Sequence, residues 1–430
     1  MKTVLISGAG IAGSALAHHL RRRGFAPTVV ERASAPRRGG QAVDIRGAAL
    51  DVVGRMGLLE RARGLRTRIR GMSVLDADGN EVHRSTEVAY SSGRLDSDDI
   101  ELLLEDLVSL LHEHARDGVT YLFGDTVTAL TEQQDGVRAD FAHAPSRVFD
   151  LVVGADGLHS TVRRLVFGPE ERYAHHLGTY LSVFGADNFL GLDQWQVWLQ
   201  DGDNGFGVMP VRDNAELRIA FGFRSEPLGG GPDGGDDRGS RDSRDSRDPE
   251  RFRKIVVDRL AGMRWEAAEG LAKAAATAPD FYCDAMAQIR MGRWSRGRVV
   301  LLGDAGYCAS PLSGQGTGLA LVGAHVLAEE LGRTGEGDGG HAGAFSRYED
   351  RMRPFVTLNQ ALATENPGGP ASEESVARAK NAISLQRARE PAGTSRVEGS
   401  RPQRAFRGAG SGQMPRSLMI LATCPVARTL

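Results

Sequence analysis

Short apolar runs that stop at a glycine are the strongest pattern along this chain. The centres of residues 2–7, 150–154 and 299–302 are continuous apolar residues, which is typical of strands buried on both faces of a parallel sheet. A helical pattern follows each run, as at residues 319–331, where apolar positions recur at helical spacing. Strands that alternate with helices in this way predict an α/β fold.

The N-terminal run opens a pattern that is typical of dinucleotide binding. Gly8, Gly10 and Gly13 follow the first strand as G-x-G-x-x-G, a helical stretch comes next, and a second strand ends at Glu31. The glycines allow a tight turn, a close approach of the backbone to a pyrophosphate and close packing of the helix, while the acid binds a ribose. The sequence therefore predicts a dinucleotide site, with a glycine turn that serves only packing as the alternative. The motif does not distinguish NAD from FAD.

Two later segments repeat the order of strand, glycine turn, acid and helix. In the first, Gly154 is followed by Asp156 and Gly157 and by a helix that starts at Ser160. In the second, the strand ends at Gly303-Asp304, and a loop precedes the helix with three more turn-forming residues, Pro311, Gly314 and Gly316. So many glycines in one loop indicate that the bare backbone lies against a ligand, although an ordinary strand-loop-helix crossover remains an alternative.

The three motifs, in this order and spacing, resemble those of the single-component FAD monooxygenases of the para-hydroxybenzoate hydroxylase fold. Within that group, the segments "GGQAVDIRG" and "SPLSGQGTGLAL" look most like the TetX-type tetracycline-inactivating monooxygenases and related natural-product tailoring enzymes. The resemblance covers about residues 1–365. The presence of one G-x-G-x-x-G in a βαβ context argues against the two-domain disulfide reductases, which carry a second one.

The resemblance implies a Rossmann-like FAD-binding domain, a β-sheet substrate domain and a C-terminal helix. Residues 1–70, 96–175 and 280–335 would form the FAD-binding domain, and residues 71–95 and 176–279 would form the substrate domain. The low-complexity residues 225–250 are predicted to be a flexible insert. Residues 336–390 are expected to be a helical region, and residues 391–430 a disordered tail.

The resemblance also implies which residues bind FAD. The expected cofactor-binding residues are Gly8, Gly10, Ala12, Gly13, Glu31, Arg32, Arg37, Asp44, Asp156, Gly157, Gly303, Asp304, Pro311, Gly314 and Gly316. Arg37 matches a position linked to NADPH, but a solvated surface charge explains it equally well. Asp156 could instead cap a helix. The sequence assigns no catalytic residue.

One position departs from the family pattern. Members of the family commonly read E-I-x-R-x-D-L-x-x-L-L here, with the arginine contacting FAD, whereas residues 101–111 read "ELLLEDLVSLL" and place Leu104 at the position of the arginine. The loss of a charge-assisted hydrogen bond should weaken FAD binding by about 1.5 to 3 kcal/mol. Arg94 or Arg46 could compensate.

A sheet is predicted over residues 178–224, where several short strands alternate with turns. Its aromatic and soft apolar residues are candidates for a dry substrate pocket, although any single one is better explained as sheet core: Trp195, Trp198, Phe206, Met209 and Phe221. A hairpin is predicted before it, with its turn at residues 78–80.

The implied reaction is hydroxylation of an aromatic or enolic small molecule, polyketide-like or tetracycline-like, with NAD(P)H and molecular oxygen. In the family the oxygen is transferred from a flavin C4a-hydroperoxide. A Baeyer-Villiger oxygenase and a flavin reductase or dehydrogenase use the same fold and stay open as alternatives. A non-catalytic homologue with weakened FAD binding is the alternative outside enzymes, and Leu104 and the atypical C-terminal tail are the arguments for it.

Composition and net charge limit which binding partners are expected. The chain has 430 residues, of which 41% are hydrophobic and 25% charged, and its formal charge of −2 gives no reason to expect nucleic acid or a membrane surface as a partner. The three cysteines, Cys283, Cys308 and Cys424, show no spacing typical of a metal site or a disulfide framework. The first strand begins at once, without a signal peptide. We therefore expect a cytoplasmic monomer or homodimer without a metal.

Overall fold

The apolar runs predicted as buried strands lie side by side in one six-stranded sheet. The protein is described by a computed structural model that covers residues 1–36, 39–228, 248–333, 339–366 and 371–385. Arg37, Cys424, most of the predicted insert and the predicted tail lie outside these residues. In spatial order the sheet contains β19 (Ser295–Arg296), β20 (Val299–Leu301), β13 (Leu151–Gly154), β1 (Thr3–Ser7), β2 (Ala26–Glu31) and β9 (Thr120–Phe123).

Five neighbouring strands of this sheet, from β20 to β9, are parallel, and only β19 runs antiparallel to its neighbour. Helices cover the sheet, which explains why the apolar runs show no alternation. Among them α1 (Ile11–Arg21) packs against both α4 (Leu104–Ala115) and α9 (Gly316–Gly332). Six further helices belong to this part of the fold: α2 (Ala48–Arg55), α3 (Leu59–Gly64), α5 (Thr161–Val166), α8 (Asp304–Tyr307), α10 (Gly340–Ala361) and α11 (Glu373–Lys380).

The segment after β20 differs in part from the predicted loop. Gly303 has a φ of +64°, and the next residues wind into the single turn of α8. The backbone N–H groups of Gly306 and Tyr307 both donate to the carbonyl oxygen of Gly303, at 3.0 and 2.9 Å. The turn therefore forms because the glycine reverses the chain and leaves its carbonyl free to accept these bonds.

A seven-stranded sheet contains the strands predicted between residues 178 and 224. In spatial order it contains β18 (Tyr282–Ile289), β14 (Ala174–Asp187), β17 (Glu216–Arg224), β16 (Asn204–Val211), β15 (Trp195–Asp201), β4 (Gly71–Leu75) and β5 (Glu81–Ser85). The predicted hairpin is confirmed, because β4 and β5 pair antiparallel around residues 76–80. Helices α6 (Pro249–Ala261) and α7 (Ala268–Thr277) cover one face of this sheet.

Three small sheets complete the fold. One consists of β3 (Ala42–Ile45) and β8 (Ile100–Leu103), and another of β6 (Val88–Ala89) and β7 (Gly93–Arg94). The third consists of β10 (Val127–Glu132), β11 (Val137–Phe141) and β12 (Arg147–Phe149). Leu103 of β8 packs with Met209 and Val211 of β16, so the β3-β8 pair lies against the seven-stranded sheet. Within the described ranges, no helix has both the length and the apolar character needed to cross a bilayer.

Four histidines pack together where α1, α4 and α9 meet. His18 stacks on His114 with 4.4 Å between ring centroids, and His19 packs edge-on against His325 at 5.0 Å. Burial is the main cause that lowers the pKa of each of them, with a contribution from neighbouring arginines, and for His18 and His325 the value is about 4. Neither ring nitrogen of His325 has a hydrogen-bond partner. These histidines are therefore neutral core residues at neutral pH.

This packing predicts a loss of stability in mild acid. Because the pKa of His18 and His325 is about 4 in the folded protein and about 6.5 in the unfolded chain, the unfolded chain binds more protons between these values. The free energy of unfolding should fall by about 1 to 2 kcal/mol per histidine between pH 7 and pH 5. Urea unfolding measures it. His325→Leu should flatten the dependence, whereas His143→Gln, at an exposed histidine, should not. Equal slopes in all three proteins would contradict the prediction.

Candidate functional site

The three glycine-rich motifs meet at one edge of the six-stranded sheet. Because β1, β2, β13 and β20 are parallel, the residues that follow them emerge at the same edge. Neighbours β2 and β13 lie on opposite sides of β1, so the chain leaves β1 at a switch point of the strand order. A crevice at such a point is the usual place of a ligand in an open α/β sheet.

Two glycines bring the backbones of these loops into contact. A Cβ atom on Gly8, where φ is +105°, would lie 2.4 Å from the carbonyl oxygen of Ala155, and one on Gly13 would lie 1.9 Å from that of Gly8. By contrast, a Cβ atom on Gly10 or Gly316 would meet no atom within 4 Å. The starts of α1 and α9 therefore face open space, where their unpaired N–H groups can bind an anion.

Glu31 and Arg32 end β2 at the same edge. The carboxylate of Glu31 accepts from the backbone N–H of Ala9 and from that of Ala33, each at 2.9 Å. Glu31 therefore holds the glycine turn to the second strand, and its remaining lone pairs can accept from ribose hydroxyls. Arg32 is exposed beside it.

Asp156 is engaged within the protein. Its carboxylate accepts from Ser7 Oγ at 3.2 Å and from the backbone N–H of Val162 at 3.1 Å, and it also accepts from Ser160 Oγ. Burial raises its pKa, although these hydrogen bonds oppose the effect. Asp156 thus joins β1 to the start of α5, which is close to the capping role that the sequence left open, and Gly157 with a φ of +80° turns the chain next to it.

The loop between α8 and α9 carries several polar groups without partners. Ser310 has a φ of +71°, which is rare for a residue with a side chain, and its buried Oγ has no hydrogen-bond partner. The buried Nε2 of Gln315 also has none. Pro311 and Gly314 are exposed in the same loop, and burial raises the pKa of Asp304 at its beginning. Strain and two unpartnered polar atoms therefore coincide in the loop that the sequence predicted to lie against a ligand.

Asp44 and Arg46 lie beside this loop. Arg46 Nη2 and Asp44 Oδ2 are 2.9 Å apart, and a Cβ atom on Gly314 would lie 3.7 Å from Arg46 Nη1. Burial is the main cause that raises the pKa of Asp44 to about 7. Arg46, considered as a substitute for the missing arginine, is thus at the site, whereas Arg94 forms an exposed ion pair with Asp96.

Leu104 occupies the first position of α4 and packs on the chain before β3. A Cβ atom on Gly40 would lie 2.9 Å from Leu104 Cδ2, and the N–H of Leu104 donates to the carbonyl oxygen of Gln41 at 3.0 Å. The next residue, Glu105, accepts from the N–H of Gly39 at 2.8 Å. Position 104 therefore lies at the expected place beside the predicted site but contributes only an apolar contact.

One face of the seven-stranded sheet is linked to the site through Ser91, whose carbonyl oxygen accepts from Arg46 at 3.3 Å. On this face Gln196 Nε2 donates to Ser91 Oγ, and Gln196 Oε1 accepts from Trp198 Nε1 at 2.9 Å. The ring of Trp198 also packs edge-on against Tyr90, with centroids 5.5 Å apart. Met209 belongs to this face through its contact with Leu103.

The other aromatic candidates are sheet core. Phe206 and Phe221 are fully buried on the opposite face, which packs on α6 and α7, and Phe206 stacks on Trp265 of that layer. Trp195 donates from Nε1 to Ser73 at the edge of the sheet and lies under the guanidinium of Arg84. Of the five residues predicted as pocket candidates, Trp198 and Met209 therefore face the site.

A buried ion cluster that was not predicted from the sequence holds the Asp156 turn. Arg163 is fully buried and donates to the carbonyl oxygens of Ala305 and Leu158 at 2.9 and 2.6 Å, and to Glu170 at 2.8 Å. His159 lies between Glu170 and Asp284, at 2.9 and 2.8 Å. Burial alone lowers the pKa of His159, but the bonds to these two acids outweigh it and raise the pKa to about 9. The arginine at position 163, six residues after Gly157, was the feature of the sequence that could have indicated this cluster.

The His159 pairing predicts the opposite dependence on pH from the histidines of the core. A pKa of about 9 in the folded protein means that the protonated imidazole stabilises it fully below about pH 6.5, and that this contribution disappears as the pH rises through about 9. After discounting for solvent screening, we expect His159→Gln to cost about 1 kcal/mol at pH 6 and almost nothing at pH 9.5. Chemical unfolding at both values checks this, with His175→Gln at an exposed histidine as control. A cost independent of pH would refute a charged His159.

Known proteins share this arrangement of sheet and loops. The family described as "FAD binding domain" matches residues 1–362. An uncharacterized protein of Mycobacterium tuberculosis (strain ATCC 25618 / H37Rv) is 47% identical over 388 residues, which cover 90% of this chain and all (100%) of that protein. A flavin-dependent monooxygenase of Legionella longbeachae serogroup 1 (strain NSW150) is 35% identical over 357 residues, which cover 83% of this chain and 86% of that protein.

A solved structure agrees with these relatives. The crystal structure of the tetracycline destructase Tet(51) is similar with a TM-score of 0.75 and 33% identity, over 90% of this chain and 99% of that one. The family match spans all three glycine-rich motifs and the sheet edge at which they meet. The chain therefore belongs to the FAD binding domain family and is an FAD-dependent oxidoreductase related to the flavin-dependent monooxygenases.

Proposed function

We propose that this protein uses NAD(P)H and molecular oxygen to hydroxylate an aromatic or enolic small molecule of polyketide-like or tetracycline-like chemistry. The observation that carries the proposal is a chain of contacts from the second sheet to the glycine-rich loop. Gln196 donates to Ser91 Oγ, the carbonyl oxygen of Ser91 accepts from Arg46 at 3.3 Å, and Arg46 lies beside Gly314. A flat ring between that sheet and the loop of residues 310–316 would contact an aromatic wall, formed by Trp198 and Tyr90, and the polar side chains of Ser310 and Gln315. The similarity to Tet(51) supports a substrate of this kind.

The residues at the site fit FAD. Open space in front of Gly10 and Gly316 leaves room for the cofactor's phosphates and ring, and Glu31 can hold a ribose. Buried polar atoms without partners, which are costly unless a ligand satisfies them, belong to Asp44, Arg46, Ser310 and Gln315. When bound, FAD supplies the redox chemistry, accepting a hydride from the nicotinamide and activating oxygen.

The start of α9 contributes electrostatic stabilisation. Its first residues from Gly316 onward offer backbone N–H groups without intrahelical partners, and no acidic side chain lies in the first turn. These fixed dipoles and the guanidinium of Arg46 would stabilise negative charge on a flavin ring held beside Gly314. The absence of side chains at the glycines allows this close approach.

The aromatic wall excludes water and orients the substrate. Trp198 and Tyr90 pack edge to face, and Met209 closes the wall against Leu103. Gln196 is fully buried, so its bonds to Ser91 and Trp198 hold the indole of Trp198 at a constant position in the wall. A dry cavity matters because activated oxygen is otherwise lost to water as peroxide.

The proposed reaction predicts a product that contains one atom of molecular oxygen. We expect NADPH oxidation to accelerate when a tetracycline or an anthraquinone-type phenol is added, and mass spectrometry with labelled oxygen gas should show one labelled atom in the product. Trp198→Ala should reduce product per NADPH consumed and release more hydrogen peroxide, while Phe189→Ala, at an exposed phenylalanine, should behave like the wild type. Substrate-independent NADPH oxidation without product would instead indicate a flavin reductase, and oxygen inserted beside a carbonyl would indicate a Baeyer-Villiger reaction.

The Leu104 position predicts that FAD affinity can be improved. We expect Leu104→Arg to tighten FAD binding about 10-fold or more, because a charge-assisted hydrogen bond to a phosphate contributes about 1.5 to 3 kcal/mol. Quenching of flavin fluorescence on titration into the cofactor-free protein measures the dissociation constant. Leu104→Met retains the volume without the charge and should not change it. If both variants bind FAD as the wild type does, position 104 does not contact the phosphates.

A further inference from the structure

Two buried carboxyl groups face each other beside the candidate FAD site. In the antiparallel pair of β3 and β8, Asp44 is directly opposite Glu101, so their side chains lie on the same face of adjacent strands. The side chain of Asp44 is 9% exposed, and Glu101 is 4% exposed. Like charges placed opposite each other in a sheet are destabilising, and two carboxylates in one buried site do not both ionise readily.

The charges around the two acids do not neutralise both of them. Arg46 binds Oδ2 of Asp44 at 2.9 Å, while Oδ1 of Asp44 and Nε of Arg46 have no hydrogen-bond partner. Asp99, which adds negative charge near Asp44, is itself bound by Lys380 of α11 at 2.7 Å. The first turn of α9, which packs on β3, contributes no acid.

Glu101 has its own set of partners. Thr67 Oγ1 donates to Glu101 Oε1 at 2.6 Å, and the hydroxyl of Ser91 and the positive charges of Arg46 and Arg66 also favour its carboxylate. Asp44 has Arg46 alone as a partner for its charge among the described residues. Burial raises the pKa of both acids, to about 7 for Asp44, and the charge of Glu101 is a further cause of the increase at Asp44. One oxygen of each acid, Asp44 Oδ1 and Glu101 Oε2, has no partner, but the hydroxyl donors at Glu101 favour its ionised form and so favour a proton on Asp44.

We propose that Glu101 is a positioning residue that keeps a proton on Asp44, so that the free oxygen of Asp44 presents an O–H donor to FAD bound beside Gly314. The proposal rests on the FAD site of the proposed function, because β3 packs on α9 and Arg46 joins Asp44 to the loop at Gly314. A neutral Asp44 donates a hydrogen bond where an ionised one would repel an electron-rich ring. Glu101 acts through Asp44 and does not contact the ligand in this arrangement.

The first test uses the protein without cofactor. Infrared difference spectroscopy detects the carbonyl stretch of a protonated carboxyl group, and in the wild type this signal should disappear with a midpoint near pH 7. Glu101→Gln removes the neighbouring negative charge, so the midpoint should move to lower pH, and Asp44→Asn should abolish this transition. The exposed Glu113 of α4 offers a matched control, and Glu113→Gln should leave the midpoint unchanged. An unchanged midpoint in Glu101→Gln would overturn the role of Glu101.

The second test measures FAD binding by fluorescence quenching from pH 5.5 to pH 8.5. In the wild type the dissociation constant should increase about 10-fold as Asp44 loses its proton, the amount expected for one hydrogen bond. The increase should begin at lower pH in Glu101→Gln and be absent in Asp44→Asn. A dissociation constant that does not depend on pH in the wild type would overturn the contact between Asp44 and FAD.

Thr67→Val tests the same role of Glu101 if Glu101→Gln does not fold. Thr67→Val removes the hydroxyl that donates to Glu101 at 2.6 Å. The ionised form of Glu101 is then less favoured, so Glu101 is protonated more easily and repels a charge on Asp44 less. The Asp44 midpoint should then also fall, and an unchanged midpoint would count against the proposal. Because the infrared test needs neither FAD nor turnover, it can succeed while no hydroxylated product is found, so failure of the proposed reaction is distinguished from failure of this inference.

Discussion

The contact between backbones at the carboxyl edge of the six-stranded sheet is the constraint on which the rest of the site depends. With no side chain at Gly8 or Gly13, the start of α1 can lie on the loop after β1, and that loop can lie on the turn after β13. A methyl group at either position would need to occupy the place of a carbonyl oxygen. The contact determines where the N–H groups of α1 point, and therefore where a phosphate can bind.

The side of the site near α9 depends on charge rather than on close packing. Strand β3 brings Asp44 and Arg46 to the loop, and β8 brings Glu101 opposite Asp44. Asp44 Oδ1 and Arg46 Nε are buried without hydrogen-bond partners, which would be costly in a closed core because the desolvation of polar groups is expensive. Their lack of partners is reasonable if a ligand completes the hydrogen bonds. Leu104 thus contributes an apolar contact with Gly40, whereas the polar atoms without partners belong to Asp44 and Arg46 of the neighbouring β3 segment.

Local patterns allowed much of this to be predicted from the sequence. The strands before Gly8, Gly154 and Gly303 were predicted because a buried parallel strand is a short apolar run, and the family resemblance that followed is confirmed. Residues far apart in the chain were less predictable. Nothing near Asp44 in the sequence indicates Glu101, since their proximity arises only from the register of β3 against β8.

The same limitation explains the aromatic candidates. Alternation along β15 shows that Gln196 and Trp198 share a face, but the sequence does not tell which face carries the helices and which the site. That choice is made by long-range packing, in which Leu103 of β8 joins Met209 on one face, and α6 and α7 bury Phe206 and Phe221 on the other. The positive φ of Ser310 is also invisible in the sequence, because a serine before proline usually adopts an extended conformation. The unpaired buried atoms of Asp44, Arg46, Ser310 and Gln315 are equally invisible in the sequence, because burial and the lack of partners depend on residues far apart in the chain.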